Sequence, residues 1–252
     1  MDIVLLTALG VGGATVIGAA IGFLFKNPSH RLNDIILSFA AGVMLASSVV
    51  GLIIPSLEGE SRWSILITAA GIILGAACLN LLDLLVPHLH KISDSDIEAH
   101  PKSADRLNKV MLFVIAIAIH NLPEGIAAGV SFGTGNTMQA LAVAGGIALQ
   151  NIPEGMVIIA PMIAAGVSKK KTFFIALLTG IIEIIGTMLG YFAVSISSAI
   201  LPFSLAFAGG TMLYVISDEM IPETHSHGAE RGATYALLVG FIVMLAFDFF
   251  LG

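Results

Sequence analysis

Long apolar stretches alternate with short polar connectors along the whole chain. A helix needs about 20 predominantly apolar residues to cross the hydrocarbon core of a bilayer. Eight stretches meet this requirement, so we predict an all-α polytopic membrane protein with eight transmembrane helices in a single domain, residues 1–252. The predicted spans are 3–25, 35–57, 63–86, 110–131, 138–166, 172–195, 201–221 and 233–251.

The basic residues indicate how these spans are oriented. The chain has 11 Lys and Arg residues, and all but Arg62 fall in the connectors after spans one, three, five and seven. Cytoplasmic connectors of membrane proteins carry an excess of Lys and Arg. We therefore expect a protein of the cell membrane with both termini outside. The longest connector, residues 87–109, is then a cytoplasmic loop between spans three and four.

Composition agrees with the span pattern. The chain is 57% hydrophobic and 11% charged, with a mean hydropathy of +0.98, which is typical of membrane proteins. A single cysteine, Cys78, excludes an intramolecular disulfide and is predicted to be a small buried apolar side chain. The sequence contains no Gly-Lys pair and therefore no Walker A loop, which excludes ATP as the energy source. The lipid bilayer is an expected partner, and nucleic acid is not.

Two similar hexapeptides lie inside the fourth and fifth spans, His-Asn-Leu-Pro-Glu-Gly at 120–125 and Gln-Asn-Ile-Pro-Glu-Gly at 150–155. Helical spacing places the first, second and fifth residues of each copy on one face. Pro123 and Pro153 each remove a helical hydrogen bond, so we expect both spans to be kinked there. The residues on the shared faces are His120, Asn121 and Glu124 in the first copy, and Gln150, Asn151 and Glu154 in the second.

The charged residues within these spans predict a cation site. Glu124, Glu154 and Glu183 of span six have no Lys or Arg in spans four to six, so protons or metal ions must compensate their charge. His120 is the one histidine at membrane depth, and imidazole suits a transition metal better than calcium or magnesium. The sequence therefore predicts an intramembrane site for a divalent transition metal.

Two other functions use similar residues. One is a membrane-embedded dinuclear metal enzyme, but neither His-Glu-x-x-His nor Glu-x-x-His occurs in the chain. The other is a proton-coupled carrier of a small cation, which would not need His120 beside the carboxylates or two asparagines. We therefore predict a transporter that is not an enzyme and has no cofactor. A membrane potential of about 100 mV, negative inside, favours inward movement of a divalent ion by about 4.6 kcal/mol, so we expect import.

The paired hexapeptides, the eight-span layout and the loop after span three resemble the ZIP (Zrt-, Irt-like) family of divalent metal transporters, and its prokaryotic GufA-like branch in particular. The segments Gly42-Val43-Met44-Leu45 and Asp218-Glu219-Met220-Ile221-Pro222-Glu223 also match. The resemblance covers essentially the whole chain. It implies a homodimer that imports zinc, or iron, manganese, cobalt or cadmium. Spans one, four, five and six would move as a block against the other four in an elevator-type mechanism.

The resemblance further implies a two-metal site in which Glu124 and Glu154 bridge the ions. One metal would be held by His120, Glu124, Gln150 and Glu154, with Met44 as a further ligand. The other would be held by Asn121, Glu124, Asn151, Glu154 and Glu183. Gln150 stands where many members of the family have histidine, which makes the first position harder in its metal preference, although zinc remains the first expectation.

The remaining histidines lie in polar connectors. His225 and His227 are close in sequence to Glu219 and Glu223 at the inner end of span seven, and we interpret them as an exit relay for the metal. Three more histidines lie in the 87–109 loop beside three acidic residues. They either capture metal in the cytoplasm or belong to a solvated loop. These loop residues are His88, His90, His100, Asp94, Asp96 and Glu98.

Overall fold

The computed structural model describes residues 1–25, 29–58, 63–85, 103–228 and 230–251. All regular structure in these ranges is helical. The eight long helices are α1 (Asp2–Gly22), α2 (His30–Leu57), α3 (Ser64–Leu85), α4 (Ser103–Ser131), α5 (Thr137–Ala164), α6 (Lys169–Ile196), α7 (Ser198–Thr224) and α8 (Glu230–Leu251).

Within the described residues, seven helices are long and apolar enough to cross a membrane, and α4 carries the first hexapeptide. The prediction of an all-α polytopic membrane protein is therefore confirmed. The helices that contain Pro123 and Pro153 continue through these prolines, so each hexapeptide lies within one helix.

Two helices begin earlier than predicted because connector serines cap them. The Ser29 side chain accepts a hydrogen bond from the Leu32 amide at 3.2 Å, and α2 begins at residue 30 instead of 35. The Ser168 side chain accepts one from the Lys171 amide at 3.4 Å, and α6 begins at residue 169 instead of 172. Such caps satisfy amides that have no partner within the helix. The prediction placed these polar first turns in the connectors, which was wrong.

The predicted 87–109 loop is shorter than expected. Helix α4 begins at Ser103, so the part of the loop from residue 103 onward is helical. The loop histidines His88, His90 and His100 lie outside the described residues.

Helices α2 and α7 share an irregular feature near their C-terminal ends. Each contains a π-helical segment, Ser47–Ile53 in α2 and Ile216–Met220 in α7. Each segment is followed directly by an Ile-Pro pair and a short last turn. Short π-helical segments within α-helices frequently occur at functional sites.

The helices form two groups. Helices α1, α4, α5 and α6, here called the central block, pack most extensively on one another, whereas in the flanking block α2 packs on α8 and α3 on α7. Most glycines within the blocks face the backbone of the neighbouring helix, whereas Gly133 and Gly209 meet side chains. A Cβ added to Gly155 would lie 2.1 Å from the Thr15 carbonyl oxygen, and one added to Gly125 would lie 2.3 Å from that of Glu183. Small residues allow this close approach, which is a main source of helix association in membranes.

Contacts between the two blocks are of another kind. A Cβ added to Gly51 of α2 would lie 2.5 Å from Cγ2 of Val143 in α5, and one added to Gly146 of α5 would lie 2.4 Å from the Met244 sulfur in α8. At these positions glycine meets side chains instead of backbone. Side chains can change rotamer, whereas helix backbones cannot move apart without breaking the contact. The boundary between blocks is therefore more adaptable than the interior of either block.

The prediction that Cys78 is buried is wrong. Cys78 lies on the exposed face of α3, together with Leu74 and Leu81. In a membrane protein such a face meets lipid or another chain. The sequence of α3 is apolar on all sides, so its composition does not indicate which face is buried.

Candidate metal centre

Glu183, near the middle of α6, accepts hydrogen bonds from three other helices. Thr15 Oγ1 of α1 donates to Oε1 at 2.8 Å, and Asn121 Nδ2 of α4 donates to the same oxygen. Asn151 Nδ2 of α5 donates to Oε2 at 2.8 Å. Glu183 is completely buried. A buried carboxylate is costly unless hydrogen bonds satisfy it, and these three donors join all four helices of the central block at one residue.

These bonds fix the orientation of both hexapeptide asparagines. Each amide nitrogen donates to Glu183, so each carbonyl oxygen is available for another partner. The Oδ1 atoms of Asn121 and Asn151 are buried, as are Glu124 Oε2 and Gln150 Oε1, and none of the four has a hydrogen-bond partner within the described residues. The Gln150 Nε2 donor, beside Glu124, is also buried and unpaired within the same residues. Buried polar atoms of native proteins are rarely left unpaired. Four acceptor oxygens without donors would be satisfied by a cation.

The three predicted carboxylates lie in one electrostatic environment. Glu154 and Glu183 are the charged neighbours that act on Glu124, and His120 acts on Glu154. The Gln150 amide lies beside Glu124. No Lys or Arg among the described residues is a charged neighbour of these carboxylates. The region therefore carries an excess of negative charge that a divalent cation would offset.

His120 makes a contact that the sequence does not predict. Its Nε2 lies 2.8 Å from Oε1 of Glu219, which lies in the π-helical segment of α7. This contact joins the central block to the flanking block. The acidic pair Asp218-Glu219 at the end of an apolar span was the only signal for it, and that signal does not identify the partner.

Met44, the further ligand implied by the resemblance, is fully buried in α2. It belongs to the apolar cluster that contains Val143 and Ile147 of α5, and thus lies where the two blocks meet.

The predicted exit-relay residues make other contacts. Nδ1 of His225 lies 2.9 Å from the Ile221 carbonyl oxygen, and its Nε2 lies 3.2 Å from Thr234 Oγ1. Glu223 is exposed. In the part of the chain that the structure describes, no group of three or more His, Cys, Asp or Glu side chains is arranged to hold a metal ion, and this applies to His120 and the three membrane glutamates as well as to the exit-relay residues. His225 and Glu223 thus do not form such a group with Glu219, which pairs with His120 instead.

His227 belongs to a different contact, at the N-terminal end of α2. Its Nδ1 lies 3.1 Å from Asp34 Oδ1, and its ring stacks on His30 with 4.9 Å between ring centroids. Asp34 is 3% exposed. This contact ties the α7–α8 connector to α2 within the flanking block.

Comparison with known proteins identifies the family. A family model described as ZIP Zinc transporter matches residues 84–248. The zinc transporter GufA of Myxococcus xanthus is 40% identical over 254 residues, which cover 98% of this chain and 98% of that protein. The zinc transporter ZIPB of Bordetella bronchiseptica is 37% identical over 255 residues, with 95% of this chain and 78% of that protein covered.

A human relative shows the same relationship at lower identity. The zinc transporter ZIP11 of Homo sapiens is 31% identical over 325 residues, covering 95% of this chain and 94% of that protein. All three relatives are named as transporters and not as enzymes. The family model over residues 84–248, together with these relatives, whose alignments extend over nearly the whole chain, confirms the resemblance found in the sequence. This protein belongs to the ZIP zinc transporter family.

Proposed function

We propose that this protein imports a divalent transition metal, zinc first, into the cytoplasm through a two-metal site in the central block. The observation that carries the proposal is the set of four buried acceptor oxygens beside three carboxylates. No Lys or Arg of the described residues acts on those carboxylates. Zinc is chosen because the relatives are named zinc transporters. Iron, manganese, cobalt and cadmium are further candidate substrates.

The ligands of the proposed site come from the two hexapeptides and α6. The first metal would be held by His120, Glu124, Gln150 and Glu154, with Met44 nearby, and the second by Asn121, Glu124, Asn151, Glu154 and Glu183. A first metal bound through Nε2 of His120 would replace the contact of that atom with Glu219. The three carboxylates carry a charge of −3 when ionised, so one divalent ion leaves the site at −1 and two leave it at +1. Release of either ion therefore changes the net charge that surrounds the remaining ion.

The proposed transport movement is an elevator-type displacement of the central block against the flanking block. Backbone contacts at glycines support each block as a unit, and side-chain contacts at Gly51 and Gly146 support movement between them. We propose a homodimer because α3 and α8 are the least buried of the seven candidate spans and expose large apolar faces.

Purified protein in liposomes tests the proposal directly. We expect zinc uptake down an inward gradient, and faster uptake when a potassium diffusion potential makes the interior negative, since about 100 mV favours a divalent ion by about 4.6 kcal/mol. Competition with iron, manganese, cobalt and cadmium would give the order of preference. Metal uptake no greater than in protein-free liposomes would contradict the proposal. Uptake of a small organic cation in its place would favour the carrier hypothesis.

His120→Ala is expected to shift preference from zinc toward manganese. Imidazole is the one nitrogen ligand of the proposed site, and its loss leaves oxygen ligands that suit harder ions. We expect the ratio of zinc to manganese uptake to fall by roughly tenfold or more. Substituting a residue that only hydrogen-bonds to a metal ligand already changes metal affinity by about that factor. Glu219→Gln is the control, because it removes the carboxylate beside His120 and keeps the imidazole. An unchanged ratio in His120→Ala would contradict the assignment of this ligand.

Labelling with an impermeant thiol reagent in intact cells tests the proposed orientation. In a Cys78→Ala background, a cysteine at Lys170 in the first turn of α6, beside the α5–α6 connector, should be protected, and one at Thr137, the first residue of α5 beside the α4–α5 connector, should react. Both positions are exposed. Thr137 is preferred to Gly135, whose φ of 76° would strain a cysteine. The reverse labelling pattern would place the termini inside the cell.

A further inference from the structure

Thr15 contributes to the metal centre from α1, a helix that contains neither hexapeptide. Its hydroxyl could bond to a carbonyl of its own helix, as those of Thr179, Thr187 and Thr211 do. Instead it crosses to α6 and donates to Glu183 Oε1 at 2.8 Å. The Thr15 side chain is 1% exposed, so water does not compete for this bond.

The position of α1 is fixed around this bond. A Cβ on Gly155 of α5 would lie 2.1 Å from the Thr15 carbonyl oxygen, so α1 and α5 are in backbone contact at this level. One turn earlier, the Val11 carbonyl oxygen accepts a hydrogen bond from Asn151 Nδ2 at 3.2 Å. Helix α1 therefore hydrogen-bonds to both Glu183 and Asn151, in addition to packing against α5 and α6.

The hydrogen bonds at Glu183 leave one acceptor position of the carboxylate unused. Each carboxylate oxygen has about two acceptor positions. On Oε1 both are used, by Thr15 and Asn121, whereas Oε2 accepts only from Asn151. One acceptor position therefore remains, and it is on Oε2.

We propose that Thr15 is a positioning residue that makes Glu183 a one-oxygen ligand and thereby favours zinc over larger, harder ions at the second metal position. The inference rests on the proposed function, because it requires a second metal at Glu183. Zinc sites usually have four ligands, which suits a carboxylate that offers one oxygen. Ions with higher coordination numbers and oxygen preference also use both oxygens of a carboxylate. Without the Thr15 hydroxyl, Oε1 regains an acceptor position and the carboxylate can rotate.

Calorimetry with zinc and manganese on purified variants tests this role. Thr15→Val keeps the shape of the side chain and removes the hydroxyl, whereas Thr15→Ser keeps the hydroxyl. We expect Thr15→Val to weaken the second zinc equivalent by roughly tenfold, the usual scale for a hydrogen bond to a charged group. Manganese binding should weaken less, so that the zinc-to-manganese affinity ratio falls. The first zinc equivalent should be unchanged, and Thr15→Ser should behave like the unmodified protein.

Thr187→Val is the matched control. Thr187 is also a buried threonine beside Glu183, but its hydroxyl donates to the backbone carbonyl of Glu183 at 2.9 Å and not to the carboxylate. Thr187→Val should leave the zinc-to-manganese affinity ratio unchanged. A fall in this ratio equal to that of Thr15→Val would overturn the inference.

The outcomes separate this inference from the proposed function. If the unmodified protein binds fewer than two zinc equivalents, the two-metal site is overturned, and the role of Thr15 with it. If it binds two and Thr15→Val keeps both the second affinity and the ratio, only the role of Thr15 is overturned. The role of Thr15 is also overturned if Thr15→Ser loses as much affinity for the second zinc equivalent as Thr15→Val does.

Discussion

Glu124→Ala and Glu154→Ala are each expected to abolish zinc uptake and to eliminate binding of the second metal equivalent. In the proposed site these two carboxylates bridge the ions, so either substitution removes an anion that both positions share. Glu124 has Glu154 and Glu183 as its charged neighbours, with no Lys or Arg among the described residues acting on it. The remaining carboxylates cannot compensate two divalent ions in a membrane interior. Zinc uptake into liposomes and metal stoichiometry by calorimetry are the measurements.

Two variants sharpen this prediction. In the proposed site Glu183 serves only the second position, so Glu183→Ala should keep one tight equivalent and residual uptake. Glu58, exposed at the end of α2, is the control for loss of a carboxylate far from the site, and Glu58→Ala should transport normally. Two tight equivalents in Glu124→Ala, or in Glu183→Ala, would show that the ligands are assigned incorrectly.

A disulfide between the two blocks is expected to stop transport and leave metal binding intact. A Cβ on Gly51 of α2 would lie 3.7 Å from the Val143 Cβ of α5, which is close to the mean Cβ separation in disulfides of about 3.8 Å. Oxidised Gly51→Cys/Val143→Cys protein in a Cys78→Ala background should therefore form the bond without moving either helix. Because the bond joins the blocks, uptake should fall to background and return on reduction.

A disulfide within the central block is the control for this experiment. A Cβ on Gly133, just after α4, would lie 3.0 Å from the Val194 Cβ of α6, so a small shift permits a bond between cysteines at these two positions. This bond joins segments that we propose to move together, and transport should continue. Normal uptake by fully oxidised Gly51→Cys/Val143→Cys protein would rule out relative movement of the blocks.

The sequence predicts the fold well because eight apolar spans are a strong, local signal. The predictions are wrong where the structure depends on features other than hydropathy. The first turns of α2 and α6 are polar, and their helical state depends on the Ser29 and Ser168 caps. Cys78 was placed on the wrong face because a uniformly apolar helix in lipid has no polar side to indicate its orientation.

The residues of the candidate site can be predicted only where they are polar or charged within an otherwise apolar span. The hexapeptides are recognisable because Asn, Gln and Glu are rare in membrane spans, and Asn121, Asn151 and Glu183 do meet in the structure. Thr15 is one of many small residues in an apolar span, so nothing local distinguishes it. Its contact with Glu183 joins residues 168 positions apart and depends on how α1 packs.

The packing of the helices has a consequence for the direction of transport. Exchanging α1 with α6, α2 with α7, α3 with α8 and α4 with α5 reproduces the main contacts, since α1–α5 becomes α6–α4 and α2–α8 becomes α7–α3. Gly12 and Gly180 face each other's carbonyl oxygens, and the π-helical segments of α2 and α7 both precede Ile-Pro. Each exchanged pair runs in opposite directions through the bilayer, so the chain is an inverted repeat. Because the two halves of the molecule are related in this way, we expect neither side of the membrane to have a built-in advantage, so that in the proposed transport the electrochemical gradient of the ion sets the direction of net flux.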